Sequence, residues 1–113
     1  MSNNTRELLN EYFDFYGSLL TDKQKLIFEY YYQEDYSLAE IAEEEKISRA
    51  AVSDTLKHCR EELQEYESKL HLVENYKHRI SIVKKIKCLT KNEKVLNLIE
   101  ELISTENEGG TYE

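Results

Sequence analysis

The chain has 113 residues, a formal net charge of −8 and a mean hydropathy of −0.72, with 34% charged and 40% apolar side chains. A chain of this size supports one small domain, or a domain with a helical extension, and buries roughly 60–70% of its unfolded surface. No stretch approaches the ~18 consecutive apolar residues of a membrane span, and Met1 to Glu11 lacks the basic start and apolar run of a signal peptide, so a cytoplasmic protein is expected.

Proline is absent and the glycines are Gly17, Gly109 and Gly110, so residues 18–108 contain neither main backbone punctuator. An all-α fold follows. Cys59 and Cys88 form no CxxC pair and read as reduced thiols.

Capping chemistry marks the helix starts. A first helix is predicted near Asn4 to Tyr16, where Leu8, Leu9, Tyr12, Phe13 and Tyr16 recur at helical spacing. Thr21 with Gln24 forms a capping box for a second helix from Asp22 to about Gln33, and Ser37 with Glu40 forms another for a short helix from Leu38 to about Glu45. Ser48 caps a longer fourth helix. Tyr36 with Ile41, and Ile47 with Val52, are spaced to act as apolar staples across the Ser37 and Ser48 caps.

Along the fourth helix Val52, Leu56, Cys59, Leu63, Tyr66, Leu70 and Val73 alternate steps of four and three, which is a heptad seam. Its second half extends past what a three-helix unit covers and predicts a homodimer, unless the last helix folds back over it. A bend is expected between His71 and Asn75, followed by Tyr76, Ile80, Val83 and Ile86 at helical spacing. Thr90 with Glu93 reads as a third capping box, opening a helix from about Lys91 to Ile103. The expected organisation is a helix-turn-helix domain over 1–70 with its motif at 37–60, a helical extension over 71–104 that serves as the dimerisation element, and an acidic flexible tail over 105–113.

Averaged charge conceals a pattern. Residues 1–45 hold eleven acids and three bases, residues 46–91 eleven bases and six acids, and residues 92–113 six acids and one base. The middle of the chain is a basic island in an acidic protein.

A capped short helix, a tight turn and a capped longer helix outline a helix-turn-helix, whose second helix enters the major groove by its N-terminal end. Leu38, Ile41, Ala42, Ile47, Val52 and Leu56 supply the buried face, with small Ala42 where the two helices cross. The opposite face carries the candidate nucleic-acid contacts. Arg49 and Lys57 suit phosphates or guanine edges, Ser53 bonds to either, and Ala50 fits a thymine methyl. Lys46 lies in the turn, Arg60 one turn beyond Lys57, and the capped helix start at Ser48 adds amide donors. Asp54 is discordant and repels a phosphate unless it accepts from cytosine or pairs with Lys57 or His58.

Residues 20–63 resemble region 4 of bacterial sigma factors, through L-T-x-x-Q at Leu20 to Gln24, S-L-x-E-I-A at Ser37 to Ala42, and I-S-x-x-x-V at Ile47 to Val52. More closely, the aromatic-rich first helix, the segment ISRAAVSDTLK and the basic extension resemble the YlxM family across nearly the whole chain. That resemblance implies a small helix-turn-helix protein with a regulatory or accessory role in the signal recognition particle pathway. Two departures stand out. The turn has Lys46 where many such turns place glycine, and a left-handed non-glycine residue costs roughly 1 kcal/mol, so a wider turn is expected. Ala50 and Ala51 offer few atoms for base reading, so sequence specificity is expected to be modest.

Other features carry less. Lys77, Arg79, Lys84, Lys85, Lys87 and Lys91 either extend a phosphate track or neutralise the protein's own acidic helices. Tyr30, Tyr31 and Tyr32 spread over several faces of one helix and read as core and rim packing before base stacking. The histidines and cysteines form no metal-ligand spacing, no cofactor motif is present, and no phosphate loop, nucleophile elbow or triad supports an enzyme. Two functions remain: binding of duplex DNA through the helix-turn-helix as a transcription regulator, or docking as an accessory protein on signal recognition particle RNA or its GTPase components.

Overall fold

The structure is a computed structural model that describes residues 3–109, and every regular element among them is helical. In chain order these are α1 (Asn3–Tyr16), a 3-10 turn at Gly17–Leu19, α2 (Asp22–Tyr32), α3 (Leu38–Glu45), α4 (Arg49–Leu70), α5 (Leu72–Leu89) and α6 (Glu93–Gly109). The chain divides into two compact units between Leu70 and His71. His71 has φ 54°, ψ 30°, a left-handed conformation that ends α4 and starts α5 afresh.

Three helix starts form where local chemistry puts them. Thr21 Oγ1 accepts from the Gln24 amide at 3.2 Å while Gln24 Oε1 accepts from the Thr21 amide at 2.9 Å. Ser37 and Glu40 repeat this at 3.1 and 3.0 Å, and the Ser37 amide holds the Glu40 carboxyl below its usual range. Ser48 Oγ accepts from the Ala51 amide at 3.0 Å. Each cap satisfies amide donors that a helix start otherwise leaves without partners.

The first unit is built around one row of α4. Val52, Leu56, Cys59 and Leu63 are all buried, and against them lie Leu9 and Tyr16 of α1, Ile27, Phe28 and Tyr32 of α2, and Ile41 of α3. Phe13 stacks on Phe28 with centroids 4.4 Å apart and planes 7° from parallel. Gly17 permits this packing, since a Cβ there would come within 3.1 Å of the Phe13 ring. Buried Tyr16 donates its hydroxyl proton to the Glu67 carboxylate, tying α1 to the far half of α4.

Arg6 anchors the opposite end of α1. Its guanidinium donates to the carbonyls of Tyr31 and Tyr32 at 3.3 and 3.1 Å and to Asp35 at 2.7 Å, so one cation satisfies the C-terminal acceptors of α2 and favours the negative end of its dipole.

The heptad seam is shorter than its spacing implied. Its first four members are core, but Tyr66 packs on Tyr16 with centroids 5.8 Å apart, Leu70 is 50% exposed, and Val73 belongs to α5 after the left-handed break. Helix α1 thus covers part of the surface that had called for a second chain.

The second unit is the hairpin of α5 and α6, held at its two ends by Arg79 on Glu106 at 2.7 and 2.9 Å and Lys87 on Glu100 at 2.7 Å. Two expectations need correction here. Asn92, not Thr90, caps α6: its Oδ1 accepts from the Lys94 and Val95 amides at 2.9 and 3.3 Å, while Thr90 Oγ1 accepts from Asn92. Asparagine immediately before the first helical residue is among the strongest N-caps, and it displaces the more distant hydroxyl. Nor does the helix stop at Ile103 in favour of a flexible tail from 105. It continues to Gly109, supported by the Arg79–Glu106 pair and by Thr105 Oγ1 donating to the Glu101 carbonyl at 3.1 Å. Residues 110–113 of that expected tail lie outside the described residues.

Replacing Asn92 with Ala is expected to cost about 1 kcal/mol and to speed amide exchange in the first turn of α6, with Thr90→Ala costing less. Urea unfolding with hydrogen exchange measures both.

Candidate nucleic-acid interface

Helices α3 and α4 are joined by three residues, Lys46, Ile47 and Ser48, so the turn is tight and not widened. Lys46 takes the left-handed conformation itself, at φ 58°, ψ 44°. The Ile47 amide donates to the Ala42 carbonyl at 3.0 Å and the Lys46 amide to Glu43 at 3.4 Å, the bond pattern of a Schellman motif. Those bonds, with the burial of Ile41 and Ala42, offset the roughly 1 kcal/mol strain of a side chain at positive φ. Ala42 is 9% exposed where α3 meets α4.

Burial of Val52, Leu56 and Cys59 turns the opposite face of α4 outward. Arg49, Ala50, Ser53, Asp54 and Lys57 are all exposed on its first three turns, with exposed Lys46 and Ser48 preceding them. Among the described residues no ion pair engages Lys46, Arg49 or Lys57. Glu44 and Glu45 of α3 lie near Tyr30 of α2, whose phenol is pushed up by burial and then by these two charges. Asp54 has no ion pair with Lys57 or His58.

Arg60 stands apart from the group with which the spacing had placed it. It is half-buried and donates to the Tyr32 hydroxyl at 3.1 Å, joining α4 to α2. Glu61, which stands outside the candidate set although its i+4 spacing from Lys57 is legible in the sequence, is exposed and closes the cationic face after Lys57. What remains is a short ridge at the start of α4, where the first-turn amides lack helical acceptors and favour an anion.

The aromatic triplet divides. Tyr32 is buried, whereas Tyr30 stacks on Tyr36 at 4.7 Å and Tyr31 meets Tyr32 edge-on at 5.0 Å, so these rings are occupied with one another. Among the described residues no group of three His, Cys, Asp or Glu side chains is placed to hold a metal ion, and no helix is long and apolar enough to cross a membrane.

A short helix, a three-residue turn and a second helix with an exposed N-terminal face constitute a helix-turn-helix, and comparison with known families agrees. The family described as "Putative helix-turn-helix protein, YlxM / p13 like", UPF0122, matches residues 3–104. The chain belongs to this family. Relatives are spread over several bacteria. A UPF0122 protein of Oceanobacillus iheyensis is 44% identical over 94 residues, 83% of this chain and 90% of its own length. One from Lactococcus lactis subsp. cremoris is 51% identical over 78 residues, 69% of this chain and 70% of its own, and one from Listeria welshimeri is 42% identical over 99 residues, 83% and 90%. The UPF0122 match spans both compact units, so the α5–α6 hairpin is part of the family pattern and not an appendage of this chain.

Two predictions arise from the motif and its core. Lys46→Gly relieves the left-handed strain and is expected to stabilise the protein by about 0.5–1 kcal/mol in urea unfolding, the unfolded-state entropy of glycine taking back part of the gain. Cys59 is buried against the Gln24 carbonyl, and burial followed by the Glu62 charge pushes its thiol from 9.0 up to about 11. Exposed Cys88 should therefore react with a thiol reagent at pH 8 while Cys59 reacts only on unfolding. Because the folded-state value is the higher, this thiol's contribution to stability is complete below pH 9 and is lost as pH rises through about 11.

Proposed function

We propose that the protein binds duplex DNA by setting the N-terminal turns of α4 in the major groove. The observation that carries this reading is the exposed ridge of Lys46, Arg49 and Lys57, which has no ion pair among the described residues of a protein of net charge −8. An acidic protein that leaves cations unneutralised at the start of its second motif helix has them where a helix-turn-helix meets phosphates and base edges.

On this reading Arg49 and Lys57 contact phosphates or guanine, Lys46 approaches the backbone from the turn, and Ser48 with the first amides of α4 receives a phosphate. Ser53 and Ala50 face base edges, and Asp54 selects against phosphate-only contacts by accepting from a cytosine amino group. Arg60 contributes mainly by holding α4 against α2 through Tyr32. With so few reading atoms, specificity is modest and electrostatics supplies most of the affinity.

The finer role, regulation of transcription connected with the signal recognition particle pathway, is supported by the YlxM resemblance, and the duplex contact by the ridge. Docking on the particle's RNA or GTPase is the competing outcome, and one titration separates them. Duplex DNA, particle RNA and the GTPase are each titrated at low and physiological salt. Salt-sensitive duplex binding is expected. Arg49→Ala and Lys57→Ala should each weaken it and reduce the slope of log K against log salt by about 0.9. Unchanged affinity in both variants, or preference for the RNA or GTPase, would sink the proposal.

A further inference from the structure

The α5–α6 hairpin leaves a strip of apolar side chains uncovered. Among its described residues only Val73, Val83 and Ile99 are buried, while Ile82 and Ile86 on α5 and Leu98 and Leu102 on α6 are 43, 42, 65 and 47% exposed. Ile82, Ile86 and Leu102 line a groove of about 220 Å³ between the two helices, floored by Val83 and Ile103. A unit of this size ordinarily needs a disulfide, a metal or a second chain to be stable. Cys88 is a free thiol, and no metal cluster exists among the described residues.

The charges say which second chain. Helix α5 carries five bases and one acid, and α6 carries five acids and one base. The hairpin is thus electrostatically self-complementary: α5 of one copy repels α5 of another but attracts its α6. We infer that the groove face of this hairpin is a homodimer interface, pairing two hairpins as a four-helix bundle in which α5 of each protomer packs antiparallel on α6 of the other. A two-fold axis parallel to the helices produces that arrangement and makes every neighbouring pair antiparallel and oppositely charged.

The register follows from the intrachain pairs. Arg79–Glu106 and Lys87–Glu100 set the levels of the two helices, and in that register Lys85 stands level with Glu101. Both are exposed, and neither has an ion pair among the described residues. On the helical repeat they lie on the outer flanks of the apolar strip, away from each other within one chain. Across the two-fold axis, Lys85 of one protomer meets Glu101 of the other, twice per dimer. This surface differs from the α4 seam, and it does not depend on whether α4 binds DNA.

Sedimentation of the full chain at micromolar concentration tests the inference, with circular dichroism to confirm that each variant keeps its helices. The wild type is expected to be a dimer and Leu102→Glu a monomer, while Leu70→Glu, on the α4 seam, leaves the dimer intact. Lys85→Glu and Glu101→Lys should each weaken the dimer by about tenfold, and the double variant should recover most of that loss because the swapped charges pair again. A monomeric wild type, a dimer broken by Leu70→Glu but not by Leu102→Glu, or a double swap as weak as the single ones would overturn it.

Discussion

Everything in the first unit leans on one buried row of α4. Val52, Leu56, Cys59 and Leu63 have almost no exposed surface, and α1, α2 and α3 all pack against α4. Burying four such side chains contributes roughly 1.5–3 kcal/mol for each larger one, comparable with the net stability of a small domain. The same row determines what faces outward. With positions 52, 56 and 59 committed to the core, helical geometry leaves Arg49, Ser53, Asp54 and Lys57 to solvent. The candidate interface is therefore the complement of the core, and any substitution that rotated α4 would lose both together.

Electrostatics then limits what that face does. The ridge is bounded by Asp54 within it and Glu61 beyond it, so on the motif helix the cations without an ion pair among the described residues are confined to its opening turns. Arg60, which would have lengthened the ridge, is drawn inward by the Tyr32 hydroxyl. A longer cationic track would bind any duplex tightly but would also attract the protein's own acidic helices. Placing this motif's cations at the helix start, where amides and the dipole reinforce them, lets a protein of net charge −8 carry a small anion-seeking surface there.

What the sequence revealed and what it hid divide by range of interaction. The caps at Thr21, Ser37 and Ser48 were readable because donor and acceptor lie three residues apart. So was the alternation that buries Val52, Leu56, Cys59 and Leu63. The start of α6 is less legible because of local competition: Thr90 and Asn92 are both good caps two residues apart, and adjacency to Glu93 favours the amide. Contacts from Arg6 to the end of α2, Tyr16 to Glu67, and Arg60 to Tyr32 span 25 to 51 residues and have no periodic signature. Those contacts changed the functional reading, since one removed Arg60 from the ridge and another covered part of the α4 seam.

The tight turn shows how a local rule yields to its surroundings. Glycine's absence at position 46 suggested a wider connection, because a left-handed lysine is strained. Widening, however, would move Ser48 away from its capping place and separate Ala42 from the crossing, giving up a cap worth about 1 kcal/mol and several kcal/mol of burial. Straining one backbone residue is the smaller loss. The lysine side chain that results is exposed beside the start of α4, so the position that costs the fold a little also adds a cation to the ridge. A glycine there would make a more stable protein with one fewer positive charge beside the start of α4, which gives a physical reason for lysine to occupy a place where the backbone alone favours glycine.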